Sequence, residues 1–148
     1  MKVMRASLIH ADTMVASDAI VLSAGAPTWP LPPGMITHPR SAGTFGRAYR
    51  HLVGEGALTL AEFIRRASVL PARVLEVATR SDARKGTLAV GADADVVIFD
   101  PAAFRDRATY EASTQTTAGV RHLVVAGTPV IRDGALLTDA RPGRPVRG

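Results

Sequence analysis

The chain contains no cysteine, and that single absence removes several kinds of protein at once. A disulfide framework, a cysteine-based zinc ribbon and a thiol nucleophile are all excluded. His, Asp and Glu remain as metal ligands, with Ser, Thr, Asp or Glu for covalent chemistry. No apolar run approaches the roughly 18 residues a membrane-spanning helix needs. The opening stretch MKVMRASLIHADTMV is interrupted by Arg5, His10 and Asp12, so it lacks the apolar centre of a signal peptide. These absences predict a cytoplasmic protein without a membrane partner. Aromatic residues make up only 5%, and neither a low-complexity tract nor a repeat at solenoid spacing is present.

What is there is the composition of a globular protein: 47% hydrophobic and 21% charged residues in a chain of 148. A chain of that length buries roughly 68–70% of its unfolded surface, enough for one domain with a core. The net charge is +5 and the isoelectric point about 10.7, which raises the question of a nucleic-acid partner. An electrostatic footprint for nucleic acid requires a concentrated basic face. Here the arginines are scattered beside acids (Glu62 with Arg65 and Arg66, Asp82 with Arg84, Asp106 with Arg105 and Arg107), with one small cluster in the tail ARPGRPVRG. No nucleic-acid partner is expected.

Val3, Met4, Leu8 and Ile9 stand near helical spacing and predict a helix closed by Asp12. Met14, Val15 and Ala16 follow without polar alternation, the pattern of a strand buried on both faces of a parallel sheet. Asp18 comes next, then a long Pro/Gly-rich loop. From the local residues Asp18 is either a turn aspartate or part of a site. A short helix is expected around GTFGRAYRHLVGEG, with Phe45, Ala48, Tyr49, Leu52 and Val53 on one side. Thr59 and Glu62 have the spacing of a capping box, with Leu58 and Phe63 as its hydrophobic staple. Leu60, Phe63, Ile64 and Ala67 then predict a buried helical face, and Pro71 suits the first position of a further short helix.

Beyond residue 86 the texture becomes strand-like. Val96 to Phe99 reads as a strand ended by Asp100-Pro101. Val120 to Val125 and Val130 to Arg132 read as a hairpin turning at Ala126 to Thr128, and the polar stretch FRDRATYEASTQTT as a connection. Asp93 and Asp95, in Gly-rich surroundings, are read as turn residues. The four histidines, His10, His38, His51 and His122, show no metal-binding spacing.

Four stretches, SDA at 17–19, HPRSAGTF at 38–45, LTLAEFIRRASVLPARVL at 58–75, and KGTLAVGADADVVIFDP at 85–101 with VRHLVVAGTPVIRDG after it, together resemble the C-terminal part of the amidohydrolase superfamily. The closest resemblance is to the N-acyl-D-amino-acid deacylases. It implies an α/β fragment: the last strand and helices of a TIM-type (β/α)8 metal-dependent hydrolase barrel over 1–85, then the C-terminal strands of a composite β-sandwich over 86–148. A full barrel needs roughly 200–250 residues, more than this chain has.

The resemblance further implies hydrolysis of the linear amide of an N-acyl-D-amino acid. Asp18 would end the last barrel strand as proton shuttle and secondary ligand of a zinc ion, and Arg40 would clamp the substrate carboxylate. The other metal ligands are absent from this chain. The expectation is therefore that the isolated chain is inactive, binds zinc weakly, and partners the missing barrel portion or another chain. A cyclic-amide hydrolase of the dihydroorotase or hydantoinase kind, and a non-catalytic assembly module, are the competing readings.

Overall fold

The structure, a computed structural model, describes residues 2–19, 37–80 and 84–146. Most of the Pro/Gly-rich loop between Asp18 and His38, and Asp82 with it, lie outside the described residues. Helix α1 (Lys2–Ile9) is followed by an irregular run over 10–19, and the next described element is α2 (Arg40–Leu52). Next come α3 (Leu60–Ile64), a π-helical turn (Arg65–Val69) and α4 (Leu70–Thr79), joined without a break. The strands are β1 (Val96–Phe99), β2 (Val120–Val125), β3 (Thr128–Arg132) and β4 (Ala135–Leu136). They form one antiparallel sheet in the order β1-β2-β3-β4.

The strand and hairpin expectations hold. Ala126 and Gly127 both have positive φ, 47° and 79°, the backbone that a tight turn matching the twist of its strands requires. Pro129 sits in β3, whose pairing with β4 involves only Ile131 and Arg132. A residue without an N–H is tolerated where no neighbouring strand asks for one. The turn is also pinned from outside. The Ala126 amide donates to Asp95 Oδ1 at 2.8 Å and the Gly127 amide to the Ala94 carbonyl at 3.0 Å. Lys85 Nζ stands 2.6 Å from Asp95 and 3.3 Å from Asp93, so Asp95 fastens the hairpin while Lys85 ties it to Asp93.

Two expectations are corrected and a third is met in an unexpected setting. The run over 13–19 is not a strand buried on both faces: among the described residues no segment pairs alongside it, Val15 is buried, and Met14 and Ala16 are exposed. A buried strand needs a ladder partner for its backbone groups, and here the Val15 amide instead meets a helix carbonyl, that of Arg66, at 3.1 Å. Second, the face of Leu60, Phe63, Ile64 and Ala67 divides. Phe63 joins the core and Ala67 packs on it, whereas Leu60 and Ile64 are exposed. Third, Pro71 stands in the first turn of α4 as expected, but α4 continues directly from the π turn, which accommodates the proline. A proline ring clashes with the carbonyl four residues back, and widening the turn moves that carbonyl away.

The capping box is half formed. Thr59 Oγ1 accepts the Glu62 amide at 3.2 Å, but the Glu62 carboxylate turns instead to Arg65 and Arg66, at 2.8 and 2.7 Å. Arg66 is 3% exposed. Its guanidinium donates to the carbonyls of Leu8, Ile9 and His10, which lie at the end of α1 and lack helical donors. It is a buried cap on the end of α1.

The core gathers Val15, Tyr49, Leu52 and Phe63, with Phe99 and Phe104 packed against it. Tyr49 meets Phe63, Phe99 and Phe104 edge-on, with centroids 5.5, 5.9 and 5.2 Å away, a favoured aromatic geometry. One tyrosine therefore joins rings from both sides of residue 86. The buried stripe of α2 is Gly43, Gly46, Tyr49 and Leu52, and the expected Phe45 is exposed. The glycines matter because the 105–108 segment lies directly on them: a Cβ at Gly46 would stand 2.6 Å from the Asp106 nitrogen.

Candidate functional site

Asp18 has a left-handed backbone, φ 48°. Asp tolerates that region better than most side chains, and residues held there are concentrated at functional sites. Its side chain is 87% exposed, with Oδ2 3.0 Å from Arg40 Nη2. Arg40 Nε donates to the Asp18 main-chain carbonyl at 2.8 Å. The structure thus brings together the two residues that the sequence singled out. Arg40 opens α2, whose first turn has no acid. A cation there opposes the helix dipole, at a cost of about 0.3–1 kcal/mol, and the Asp18 carboxylate lies on the guanidinium from outside the helix.

This pairing occupies one edge of the guanidinium, Nε with Nη2. The Nη1 end makes no hydrogen bond among the described residues. A planar fork with a free end can meet a second carboxylate through parallel hydrogen bonds.

His38 supports the arrangement. Its Nδ1 accepts the Arg40 amide at 3.1 Å, and its Nε2 lies 3.2 Å from the Tyr110 hydroxyl. With Nδ1 accepting, Nε2 carries the proton of a neutral ring, which donates to Tyr110 and leaves the phenol proton free to point outward. The two rings also meet edge to face at 5.3 Å. Beside them the Thr37 amide donates to the buried Ser113 hydroxyl at 3.1 Å. Tyr110 and Ser113 were missed by sequence reasoning because they lie in the polar connection, over seventy residues from their partners, with no local pattern to mark them.

The residues present do not fit a metal. Among the described residues no three His, Asp or Glu side chains converge on a point that could hold one, and a catalytic zinc ordinarily takes three protein ligands. His51 pairs with Glu55 and His122 lies near Asp133, both remote in sequence from Asp18.

The model of the amidohydrolase family matches residues 13–131, which includes Asp18, Arg40 and the sheet as far as β3. The chain belongs to the amidohydrolase family. This amidohydrolase chain is 42% identical to N-acyl-D-glutamate deacylase of Alcaligenes xylosoxydans xylosoxydans over 93% of its own length and 25% of the relative's. Among solved structures, N-acyl-D-glutamate deacylase of Bordetella bronchiseptica, complexed with zinc and a phosphonate mimic of the tetrahedral intermediate, superposes with a TM-score of 0.74. That match has 33% identity and covers 98% of this chain and 27% of the other. A D-aminoacylase with a binuclear metal centre gives a TM-score of 0.76 at 29% identity, over 97% of this chain and 27% of the other. The amidohydrolase chain therefore spans about a quarter of the length of the curated relatives it matches.

Proposed function

We propose that the intact protein carrying this chain hydrolyses the linear amide of N-acyl-D-amino acids. The observation that carries this reading is the match to a deacylase of that class along 93% of the chain. Within it, residues 1–85 supply the end of the barrel and 86–148 the last strands of the sandwich.

Asp18 is the proton carrier. As water oxygen bonds to the carbonyl carbon, Asp18 accepts the water proton, and it returns that proton to the nitrogen as the C–N bond breaks, giving a carboxylic acid and a free D-amino acid. A positioned carboxylate in that role contributes roughly 10²–10⁴-fold. Because Arg40 holds Oδ2, the proton is carried on Oδ1. The free end of the Arg40 guanidinium takes the α-carboxylate of the substrate, so one arginine sets the distance between the substrate and its proton carrier.

Zinc, which a solved relative holds, would polarise the carbonyl and activate the water. The described residues supply no ligand set for it, so in this reading the ligands belong to other parts of the protein and the chain by itself is inactive.

The test is to assay the intact protein on N-acetyl-D-amino acids, their L-enantiomers and hydantoins. Release of the free D-amino acid alone supports the reading. Turnover confined to hydantoins favours the cyclic-amide alternative, and absence of any amide hydrolysis by a folded, zinc-loaded protein overturns the proposal.

A further inference from the structure

The junction of the π turn with α4 has a consequence for Asp18. In this turn the Leu70 amide donates five residues back, to the Arg65 carbonyl. Continued by one residue, the same pattern would pair the Arg66 carbonyl with the nitrogen of residue 71. That residue is Pro71, which has no N–H. The Arg66 carbonyl is thereby left without a helical donor, and it is this carbonyl that accepts the Val15 amide at 3.1 Å.

The same residue holds the start of the segment. Its guanidinium takes the carbonyls of Leu8, Ile9 and His10, and Arg65 takes that of Ala11 at 2.9 Å. Residues 8–15 are therefore fastened at both ends to one widened turn, and Asp18 follows only three residues beyond the last fastening. Val15 is buried, whereas among the described residues the Asp18 side chain has only Arg40 to orient it.

We propose that Pro71 and the π turn are a positioning device for Asp18: by denying the Arg66 carbonyl a helical partner, they reserve it for Val15 and so set where the chain emerges toward Asp18. This rests on the reading of Asp18 as proton carrier, but the anchoring itself does not. A π turn inserted in an α-helix is frequently a functional feature. Here its function is to export a hydrogen-bond acceptor sideways. Pro71 touches no reacting atom and acts through Arg66, Val15 and Asp18 in turn.

Two measurements test it. In the unaltered protein, a through-hydrogen-bond scalar coupling between the Val15 nitrogen and the Arg66 carbonyl carbon is expected, and its absence overturns the anchoring. In Pro71→Ala the new N–H competes for the Arg66 carbonyl. Val15 amide exchange should accelerate by about tenfold or more, while the unfolding midpoint stays level or rises because alanine favours a helix interior. In the intact enzyme kcat should fall with KM nearly unchanged.

Unaltered Val15 exchange in a folded Pro71→Ala protein overturns the proposal, as does faster exchange with kcat intact. An unaltered protein that hydrolyses no amide removes the catalytic reading of Asp18, yet leaves the coupling and exchange results to decide the anchoring. A Pro71→Ala chain that fails to fold leaves the decision to the coupling in the unaltered protein.

Discussion

Arg40 holds Asp18 at two points of different kinds, a side-chain ion pair at 3.0 Å and a main-chain hydrogen bond at 2.8 Å. The main-chain contact does not need the carboxylate, so the fork can stay in place when the charge is removed. In the intact protein Asp18→Asn is expected to lower kcat by roughly 10²–10⁴-fold and to leave the denaturant midpoint unchanged. Steady-state kinetics and urea unfolding check this together; full activity in the Asn variant would sink the proton-carrier role.

Arg40→Lys separates the two functions of the guanidinium. A single ammonium cannot make both contacts to Asp18 and still present a fork to a substrate carboxylate. The expected outcome is a higher KM together with a lower kcat, measured on an N-acyl-D-amino acid. An unchanged KM would show that the substrate carboxylate is bound elsewhere.

Arg66 is the buried charge on which the α1 junction depends. Arg66→Met keeps much of the packing volume but abandons three carbonyls and the Glu62 carboxylate. Breaking a buried charged network from one side costs about 3–5 kcal/mol, and urea unfolding should show a loss of that order. A loss under about 1 kcal/mol, within the range of exposed ion pairs, would mean that water replaces the guanidinium without penalty.

Acid should loosen the same junction. Hydrogen bonds from Arg65, then from Arg66, lower the Glu62 carboxyl from 4.5 to about 2. A carboxyl lowered in the folded state contributes stability that is complete above its unfolded value and disappears as pH falls through the folded one. Asp95 acts in the same direction, lowered by Lys85 and then by the Ala126 amide. Lys85, raised chiefly by Asp95, contributes oppositely: its share is lost only as alkaline pH rises through its folded value. The urea midpoint should therefore fall between about pH 4.5 and 2, and Glu62→Gln should flatten that fall. An equally steep fall in the Gln variant would assign the acid sensitivity to other groups.

Gly46→Ala tests the contact between α2 and the 105–106 backbone. The new methyl would stand 2.6 Å from the Asp106 nitrogen, and overpacking against main chain costs roughly 1–3 kcal/mol. Gly143→Ala, with nothing within 4 Å, should be neutral. Thermal melts of the two variants should differ by several degrees in that order.

Apolar surface predicts association. Helix α4 has no buried residue, Val77 is 81% exposed and Val90 fully so. The chain should self-associate as its concentration rises, because these apolar side chains leave water on contact with a second copy. Sedimentation velocity should show that Val77→Lys with Val90→Lys reduces the association. A sedimentation coefficient independent of concentration in the unaltered chain would contradict it.

Features governed by near neighbours could be read before any fold was known. Thr59 precedes an apolar run at capping distance, Gly127 between two apolar runs marks a turn, and the β-branched run from Val96 favours a strand. The motifs around Asp18 and Arg40 were also legible, as members of a family pattern. Their pairing was not, because the two residues are joined across the intervening loop.

What only the tertiary structure decided involves groups that meet across the chain. Glu62 forsakes its own helix cap for two arginines, since two guanidinium partners add opposite charge to hydrogen bonding where a backbone amide offers a hydrogen bond alone. Arg66 is buried because the end of α1 brings it the carbonyls of Leu8, Ile9 and His10, and no local pattern reveals that supply. Leu60 and Ile64, placed by periodicity on a buried face, stay exposed because periodicity states which residues share a face and not whether a neighbour covers it. The sequence by itself determined the tight hairpin turn and the Thr59 cap, whose hydrogen bonds close within a few residues. The tertiary structure alone decided which amide takes the Arg66 carbonyl and which carbonyls its guanidinium meets, because those bonds join segments about fifty residues or more apart.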